Sequence, residues 1–290
     1  MANRLGVHSL VWTGAWSIED ARGAVARTRA AGFDVLELAL SEPSRIDTAA
    51  TRTLLTESGV AATGSLALPM DHDVSSEDLA AVGRGEELLL AALTTMHVLG
   101  ADSLYGVLYS ALGKYARPCT TAGRGNATAV LRNVADAAAE RGMRLGLEVV
   151  NRYETNVFNT VEDGLRFLDE VDRDNVLLHL DTYHMNIEEC GLASPVLAAA
   201  DRIGYVHIGE SHRGYLGTGT VDFDAFFGAL AQVGYRGDLT FESFSSAVVD
   251  PRLSSTLAVW RNLWDDADDL ARHARAFIAD KLAAAGVLAS

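Results

Sequence analysis

Four short apolar runs in the second half of the chain each end in a side chain that could bind a metal ion. The terminal residues of these runs are Glu148, Asp181, His207 and Glu242. An apolar run that ends in a carboxylate or an imidazole is typical of a buried strand whose tip reaches a functional site. One histidine with three carboxylates suits a divalent ion with open coordination positions, such as manganese, magnesium or cobalt, whereas a structural zinc site would favour more cysteine or histidine. The sequence therefore predicts one divalent metal site.

Two further polar side chains lie close to these run ends. His184 follows Asp181 by three residues, just above the predicted strand tip, and either contacts a substrate or stands at a helix N-terminus without a task. Arg213 lies six residues beyond His207, and its alternative is a surface arginine paired with Glu210. Both residues are candidates for the binding of a substrate above the metal site.

An acidic residue and two tryptophans complete the set of candidates. Glu154 follows Glu148 by six residues, and its alternative is an ion pair with Arg152. Trp12 and Trp16 follow the first predicted strand, where they are either core residues or an aromatic wall for the face of a sugar. We place Trp12 among the candidate substrate contacts.

Eight short apolar runs alternate with longer helical patterns along the chain, and five glycines stand where a helical pattern gives way to an apolar run. Glycine in this position is the usual left-handed helix stop. The predicted strands span residues 5–11, 34–40, 60–66, 101–108, 144–150, 176–180, 203–208 and 238–241. The predicted helices begin near Ser17, Ser44, Ser76, Gly123, Thr160, Ser194, Asp222 and Ser255. His8 and Glu37 fall inside predicted strands, and we expect them to be satisfied groups of the core.

The regular alternation has no break in composition and no Pro- or Ser-rich linker, so it predicts a (β/α)8 TIM barrel that forms a single domain over residues 1–290. A doubly wound open sheet is the alternative, but no GxGxxG turn follows the first predicted strand. In a barrel, the C-terminal ends of the last four strands would bring the four candidate ligands together. The final predicted helix, residues 265–284, is amphipathic, and its apolar stripe would pack on the barrel or on another subunit.

The composition excludes several classes of protein. The 290-residue chain carries 24 Lys and Arg against 39 Asp and Glu, a formal net charge of −15, which opposes nucleic-acid binding because that relies on basic groups. Two cysteines in unrelated contexts imply no disulfide framework and fit a reducing cytosol. The N-terminal sequence lacks the pattern of a signal peptide, and no apolar stretch approaches the roughly 20 residues of a membrane span. We therefore expect a cytoplasmic protein that binds neither nucleic acid nor a membrane.

Three segments carry a resemblance to a known family: EVVNRYE at 148–154, LDTYHMNIEE at 180–189 and HIGESHR at 207–213. They resemble the ketose 3-epimerases, a group within the xylose isomerase-like TIM barrels that includes D-tagatose, D-allulose (D-psicose) and L-ribulose 3-epimerases. The resemblance implies that the metal, with manganese as the expected ion, is bound by Glu148, Asp181, His207 and Glu242. It implies catalytic roles for Glu148 and Glu242, and substrate contacts from Glu154, His184 and Arg213. It also implies a homodimer or homotetramer.

The implied reaction also fits the chemistry of the candidate residues. Epimerisation at carbon-3 of a ketose removes a proton next to a carbonyl and returns it to the other face, and two carboxylates can serve as base and acid in either direction. A metal ion can stabilise the enediolate that develops. The expected substrates are free ketoses, in the pairs L-ribulose/L-xylulose, D-fructose/D-allulose and D-tagatose/D-sorbose.

Three alternatives remain at this stage. An aldose–ketose isomerase that works by hydride shift usually needs a second metal site. A metal-dependent nuclease of related barrel shape would need a basic groove, against which the net charge of −15 argues. A non-catalytic sugar-binding module has no need for two carboxylates on a metal ion.

Overall fold

The computed structural model describes residues 2–249 and 251–287. Eight strands form its centre: β1 (Leu5–His8), β2 (Val35–Ala39), β3 (Ala61–Leu68), β4 (Ser103–Ala111), β5 (Arg144–Glu148), β6 (Val176–Asp181), β7 (Ile203–Ile208) and β8 (Leu239–Phe241). They are parallel and pair in sequence order, and β1 pairs with β8 to close the barrel. The predicted TIM barrel is therefore confirmed, and each predicted strand overlaps an observed one.

Helices connect the strands and cover the outside of the barrel. Within the described residues the α-helices are α1 (Ile18–Ala30), α2 (Thr48–Ser58), α3 (Leu79–Leu99), α4 (Thr121–Ala139), α5 (Val161–Val171), α6 (Thr182–Glu188), α7 (Ala193–Ala199), α8 (Phe223–Gln232), α9 (Pro251–Thr256) and α10 (Ala267–Ala284). Ser17 begins α1 with a capping box, in which its hydroxyl accepts from the Asp20 amide and the Asp20 carboxylate accepts from the Ser17 amide. Gly59 and Gly100 end α2 and α3 in left-handed backbone, as the predicted glycine stops require.

The first strand and the last helical segment differ from the sequence prediction. The first strand ends at His8 rather than at residue 11, because the His8 Nδ1 accepts the amide of Leu10 and a 3-10 turn follows at Ser9–Val11. In place of one helix that begins near Ser255, the structure has α9 and, after an irregular segment, α10. The second of these matches the amphipathic helix predicted at residues 265–284.

A short helix that the sequence did not predict, α6, follows β6 directly. The Asp181 carboxylate starts this helix because it accepts the amide of Tyr183 as an N-terminal cap. The helix is only seven residues long, so it carries little periodic signal of its own. Its first turn places His184 above the end of β6.

The apolar stripe of α10 packs on its own barrel. Leu270, Ala274 and Ile278 are fully buried, and the helix contacts α8 and β8. Of the two expectations for this stripe, packing on the barrel is the one observed. Among the described residues, no helix has both the length and the apolar character that a membrane span requires.

Inside the barrel, a layer of polar side chains lies beneath the C-terminal strand ends. Tyr205 is fully buried, and its ring stacks on that of Tyr105 with 3.8 Å between the centroids. The Tyr205 hydroxyl lies 3.1 Å from Thr63 Oγ1 and 2.5 Å from Thr240 Oγ1. Buried polar groups destabilise a core unless they are hydrogen-bonded, so this layer depends on its internal contacts.

A glycine in β4 is required by both its backbone angle and its surroundings. Gly106 has a φ of 113°, and a Cβ atom there would lie 2.4 Å from the carbonyl oxygen of Leu66 in β3. We expect Gly106→Ala to lower the free energy of unfolding by about 2 kcal/mol or more, because strain and overpacking act together. Denaturant unfolding followed by circular dichroism measures the change.

Gly125→Ala is the matched control for this prediction. Gly125 is exposed in α4, and a methyl group there would meet nothing within 4 Å. Alanine favours a helix interior over glycine by about 1 kcal/mol, so this variant should be as stable as the wild type or more stable. Equal stability of the two variants would contradict the account of Gly106.

Candidate metal centre and active site

The C-terminal ends of the last four strands bring the predicted ligands together. Glu148 is the last residue of β5, and Asp181 is the last residue of β6. His207 is the penultimate residue of β7, where it pairs with Asp181, and Glu242 directly follows β8. All four side chains are buried, and one ligand atom from each lies within 4.8 Å of the others. The structure therefore assembles the set of residues that the sequence predicted, at the barrel end where TIM-barrel active sites lie.

The donor atoms of this group fit a divalent cation. His207 Nδ1 is buried and has no hydrogen-bond partner among the described residues. It lies 3.4 Å from Glu242 Oε2 and 3.8 Å from Glu148 Oε1. A nitrogen lone pair among carboxylate oxygens is a ligand arrangement that suits manganese, magnesium or cobalt.

The other imidazole nitrogen is held by a buried carboxylate on the opposite side of the barrel. His207 Nε2 lies 2.7 Å from Glu37 Oε2, and the same oxygen accepts the Tyr205 hydroxyl at 2.7 Å. The Nε2–H group donates to Glu37, so the lone pair on Nδ1 is left for a metal ion. We had expected Glu37 to be only a satisfied core group, but it orients a candidate ligand. A carboxylate inside an apolar strand was the available signal, because such a charge needs a partner when it is buried.

Burial and neighbouring charges shift the protonation of these ligands. Burial lowers the pKa of His207, but the carboxylates of Glu37 and Glu242 outweigh this effect and raise it well above its usual value. Burial raises the pKa of Glu148 well above the ordinary value, and the carboxylate of Glu242 adds to the shift. Burial also raises the pKa of Asp181 to about 6. Protons therefore compete with a metal ion for this site.

Arg213 supplies positive charge next to the ligands. Its guanidinium Nη1 lies 2.9 Å from Asp181 Oδ2 and 2.6 Å from Glu242 Oε2, and its guanidinium carbon lies 3.9 Å from the Tyr183 ring centroid. Burial raises the pKa of Glu242, but Arg213 and His207 together outweigh this effect and hold that pKa well below its usual value. Glu210 does not pair with this arginine, since its carboxylate accepts backbone amides of its own loop.

His184 and Glu154 face the same centre. His184 Nε2 lies 3.5 Å from Glu148 Oε1, while its Nδ1 lies 2.8 Å from the side-chain amide nitrogen of Asn151. That amide also donates to Glu154 Oε1 at 2.8 Å. Glu154 therefore does not pair with Arg152, which binds a glutamate of α6 instead. Asn151 links the two candidate substrate contacts, and sequence reasoning did not single it out.

A cavity of about 880 Å³ opens at this end of the barrel. Its polar walls include Glu148, Glu154, His184, His207, Arg213 and Glu242. Leu66 and Leu68 of β3 contribute apolar surface, as does Val259 in the segment after α9. A cavity with convergent polar groups on one side and apolar surface on the other is typical of a site for a small molecule.

Trp12 is placed differently from the expectation. It is buried in the core and is not part of the cavity wall; its indole Nε1 donates to Thr28 Oγ1 at 2.9 Å, and the guanidinium of Arg27 lies over its ring. The 3-10 turn after β1 directs the chain toward α1, so the indole packs against that helix. The core alternative for Trp12, rather than the aromatic wall, matches its position.

The contact between Glu37 and His207 generates a first prediction for the site. Glu37→Gln keeps the size of the side chain but removes the charge that fixes the imidazole, so the dissociation constant for Mn²⁺ should rise about 10–100-fold. Isothermal titration calorimetry measures it. Asp238→Asn is the control, because Asp238 is a buried carboxylate at the opposite barrel end that pairs with Arg4. Its metal affinity should equal that of the wild type, and unchanged affinity in Glu37→Gln would exclude the orienting role.

The raised pKa values generate a second prediction. Glu148 and Asp181 must lose protons before they bind a cation, and the pKa of Asp181 is about 6. Metal affinity should therefore rise as the pH is raised from about 5 to 8, and binding should release protons in the lower part of that range. Calorimetry in buffers of different ionisation enthalpy counts the protons. Affinity that does not depend on pH would contradict these shifts.

Comparison with known proteins agrees with this geometry. Residues 25–281 match the family model described as xylose isomerase-like TIM barrel. An L-ribulose 3-epimerase of Methylomonas sp. is 58% identical over 94% of this chain and 96% of its own length, and a ketose 3-epimerase of Arthrobacter globiformis is 53% identical over 97% of each. The crystal structure of a D-allulose 3-epimerase from Methylomonas sp. in complex with D-allulose superposes with a TM-score of 0.95 at 56% identity, covering 97% of both chains. The chain therefore belongs to the xylose isomerase-like TIM barrel family.

Proposed function

We propose that this protein is a metal-dependent ketose 3-epimerase that acts on free sugars. Its relatives at more than 50% identity are epimerases of ketoses, which makes the chain an isomerase-class enzyme. One observation supports the proposal of metal-dependent epimerisation at carbon-3. Two buried carboxylates, Glu148 and Glu242, lie in one cluster of candidate metal ligands that opens into the cavity. Such a pair can remove a proton from one face of a carbon and return one to the other face.

The two carboxylates come from different sides of the cluster. Glu148 ends β5 and Glu242 follows β8, so two strands separate them around the barrel. One carboxylate removes the proton from carbon-3, and the other returns a proton to the opposite face. The same pair serves both directions of the reaction, because each residue is a base in one direction and an acid in the other. A divalent ion held by the four ligands would supply electrophilic stabilisation of the enediolate charge.

His184 and Arg213 would bind the substrate oxygens. Arg213 is fixed by Asp181 and Glu242, so its guanidinium enters the cavity in a defined orientation. His184 is fixed by Asn151, which leaves its Nε2 directed at the ligand cluster. Fixed donors next to developing negative charge stabilise a transition state without reorganisation.

One observation argues against the alternative function, an aldose–ketose isomerase. A hydride-shift isomerase usually uses a second metal ion. Among the described residues, the other candidate ligand set is Glu148, His179 and His207, which shares two of its residues with the first. Two ions could not occupy both sets together, because His207 Nδ1 offers a single lone pair.

The finer details of the function are also proposals. We infer that manganese is the working ion and that the substrates come from the L-ribulose, D-allulose and D-tagatose pairs. The names of the relatives support L-ribulose and D-allulose. The homodimer or homotetramer stays a prediction, which light scattering of the purified protein would test.

The positions of the helices that follow β7 and β8 generate a prediction about substrate charge. Phosphates bind at helix N-termini that open directly after a strand, but α8 and α9 begin well after β7 and β8 end. We expect kcat/KM for D-fructose to exceed that for D-fructose 6-phosphate by about 100-fold, or about 2.7 kcal/mol. A preference for the phosphate ester in coupled assays of both sugars would overturn this expectation.

The two-carboxylate proposal generates a prediction about variants. Glu148→Gln and Glu242→Gln each remove a basic oxygen and weaken the metal site, so each should lose more activity than the about 10²–10⁴-fold of a lone general base. Glu162→Gln is the control, since Glu162 is exposed on α5 and does not line the cavity. Its kcat should equal that of the wild type.

Isotope incorporation gives the decisive measurement for the same proposal. In heavy water, the wild-type enzyme should place solvent deuterium at carbon-3 of the product epimer, which NMR detects. A product without deuterium at that carbon would indicate hydride transfer. In that case the metal centre would stand, and the proposed use of the two carboxylates would be rejected.

A further inference from the structure

A buried histidine beneath the metal centre has no role in the proposed reaction. His179 lies on β6, two residues before Asp181, and its side chain is completely buried. Neither ring nitrogen has a hydrogen-bond partner among the described residues. A buried polar group without a partner costs about 1–3 kcal/mol, so two such atoms on one ring point to a ligand.

The surroundings of His179 contain two other ligand groups. Its ring lies perpendicular to that of His207 with 4.1 Å between the centroids, and its Nδ1 lies 3.9 Å from Glu148 Oε2. One atom each from Glu148, His179 and His207 lies within 4.8 Å of the others, and all three residues are buried. We call these three residues the inner set, and Glu148, Asp181, His207 and Glu242 the outer set.

We propose that the inner set is an alternative metal position that competes with the outer set for a single ion. Glu148 and His207 belong to both sets, and Glu37 occupies Nε2 of His207. An ion therefore takes His207 Nδ1 either together with Asp181 and Glu242 or together with His179. The inference rests on the proposed metal centre but not on the reaction performed there.

The chemistry of the two sets predicts which ions each prefers. The outer set offers three carboxylates and one imidazole, a composition that suits Mn²⁺ and Mg²⁺. The inner set offers two imidazoles and one carboxylate, which suits Zn²⁺ and other ions that bind nitrogen well. The inner position should therefore collect Zn²⁺ when both ions are present.

An ion in the inner position would not support catalysis. His179 is not part of the cavity wall, and the polar layer of Tyr205 and Tyr105 lies around its ring. An ion drawn toward it moves away from Asp181 and from the open cavity where a sugar binds. His179 would thus make the enzyme sensitive to zinc without any part in epimerisation.

X-ray absorption spectroscopy on the full-length protein tests the ligand count directly. The Zn²⁺-loaded wild type should show two imidazole ligands, and the Mn²⁺-loaded wild type should show one. His179→Leu should reduce the zinc count to one and leave the manganese count unchanged. Calorimetry should show Zn²⁺ affinity about 100-fold lower in this variant, with Mn²⁺ affinity equal to that of the wild type.

Several outcomes would overturn the inference. A single imidazole on zinc in the wild type would mean that zinc uses the outer set and that His179 binds a buried water only. An equal loss of affinity for both ions in His179→Leu would indicate a packing role. If that variant does not fold, His179→Asn keeps a polar group in the core and is measured in the same way. Absence of epimerase activity would reject the proposed function and leave these ligand counts valid.

Discussion

The hydrogen bond between His207 and Glu37 is the interaction on which the site depends. A buried carboxylate without a partner would cost several kcal/mol, and here one oxygen of Glu37 accepts both the imidazole and the Tyr205 hydroxyl. The same bond selects the imidazole tautomer that leaves Nδ1 for a metal ion. Glu37 lies on β2 and His207 on β7, so they meet only across the interior of a closed barrel. The geometry of the candidate metal site therefore depends on closure of the barrel.

The strands of the barrel have two different roles in forming the site. Strands β5 to β8 supply the ligands, while β2 and β3 supply Glu37 and Thr63, which fix the polar layer beneath them. Above the ligands, the buried carboxylate of Glu210 holds the loop that carries Arg213, whose backbone lies in the left-handed region with a φ of 60°. A non-glycine residue in that region is strained by about 1–3 kcal/mol. The ion pairs of Arg213 with Asp181 and Glu242 offset that strain.

The sequence was sufficient for the parts of the structure that show a pattern along one segment. Strand ends were visible because an apolar run that meets a carboxylate or histidine is a local signal, and the glycine stops were visible for the same reason. The sequence signalled that a buried Glu37 needs a partner, but it could not identify the partners of Glu37 and Asn151, since these come from distant segments that only barrel closure brings near. Trp12 was misplaced because the turn that His8 starts is too short to leave a periodic pattern. Helix α6 was missed because Asp181 is both a candidate ligand and its cap.

The charges of the site support the proposal that its substrate is a neutral sugar. With a metal bound, four carboxylates would carry negative charge, those of Glu148, Asp181, Glu242 and Glu37. Arg213 together with a divalent ion would supply three positive charges. The positive charge of the centre then does not exceed its negative charge, in a region of low dielectric where each unpaired charge is costly. A phosphate ester would bring about two more negative charges to a centre without excess positive charge, whereas a free ketose would bind through neutral oxygens.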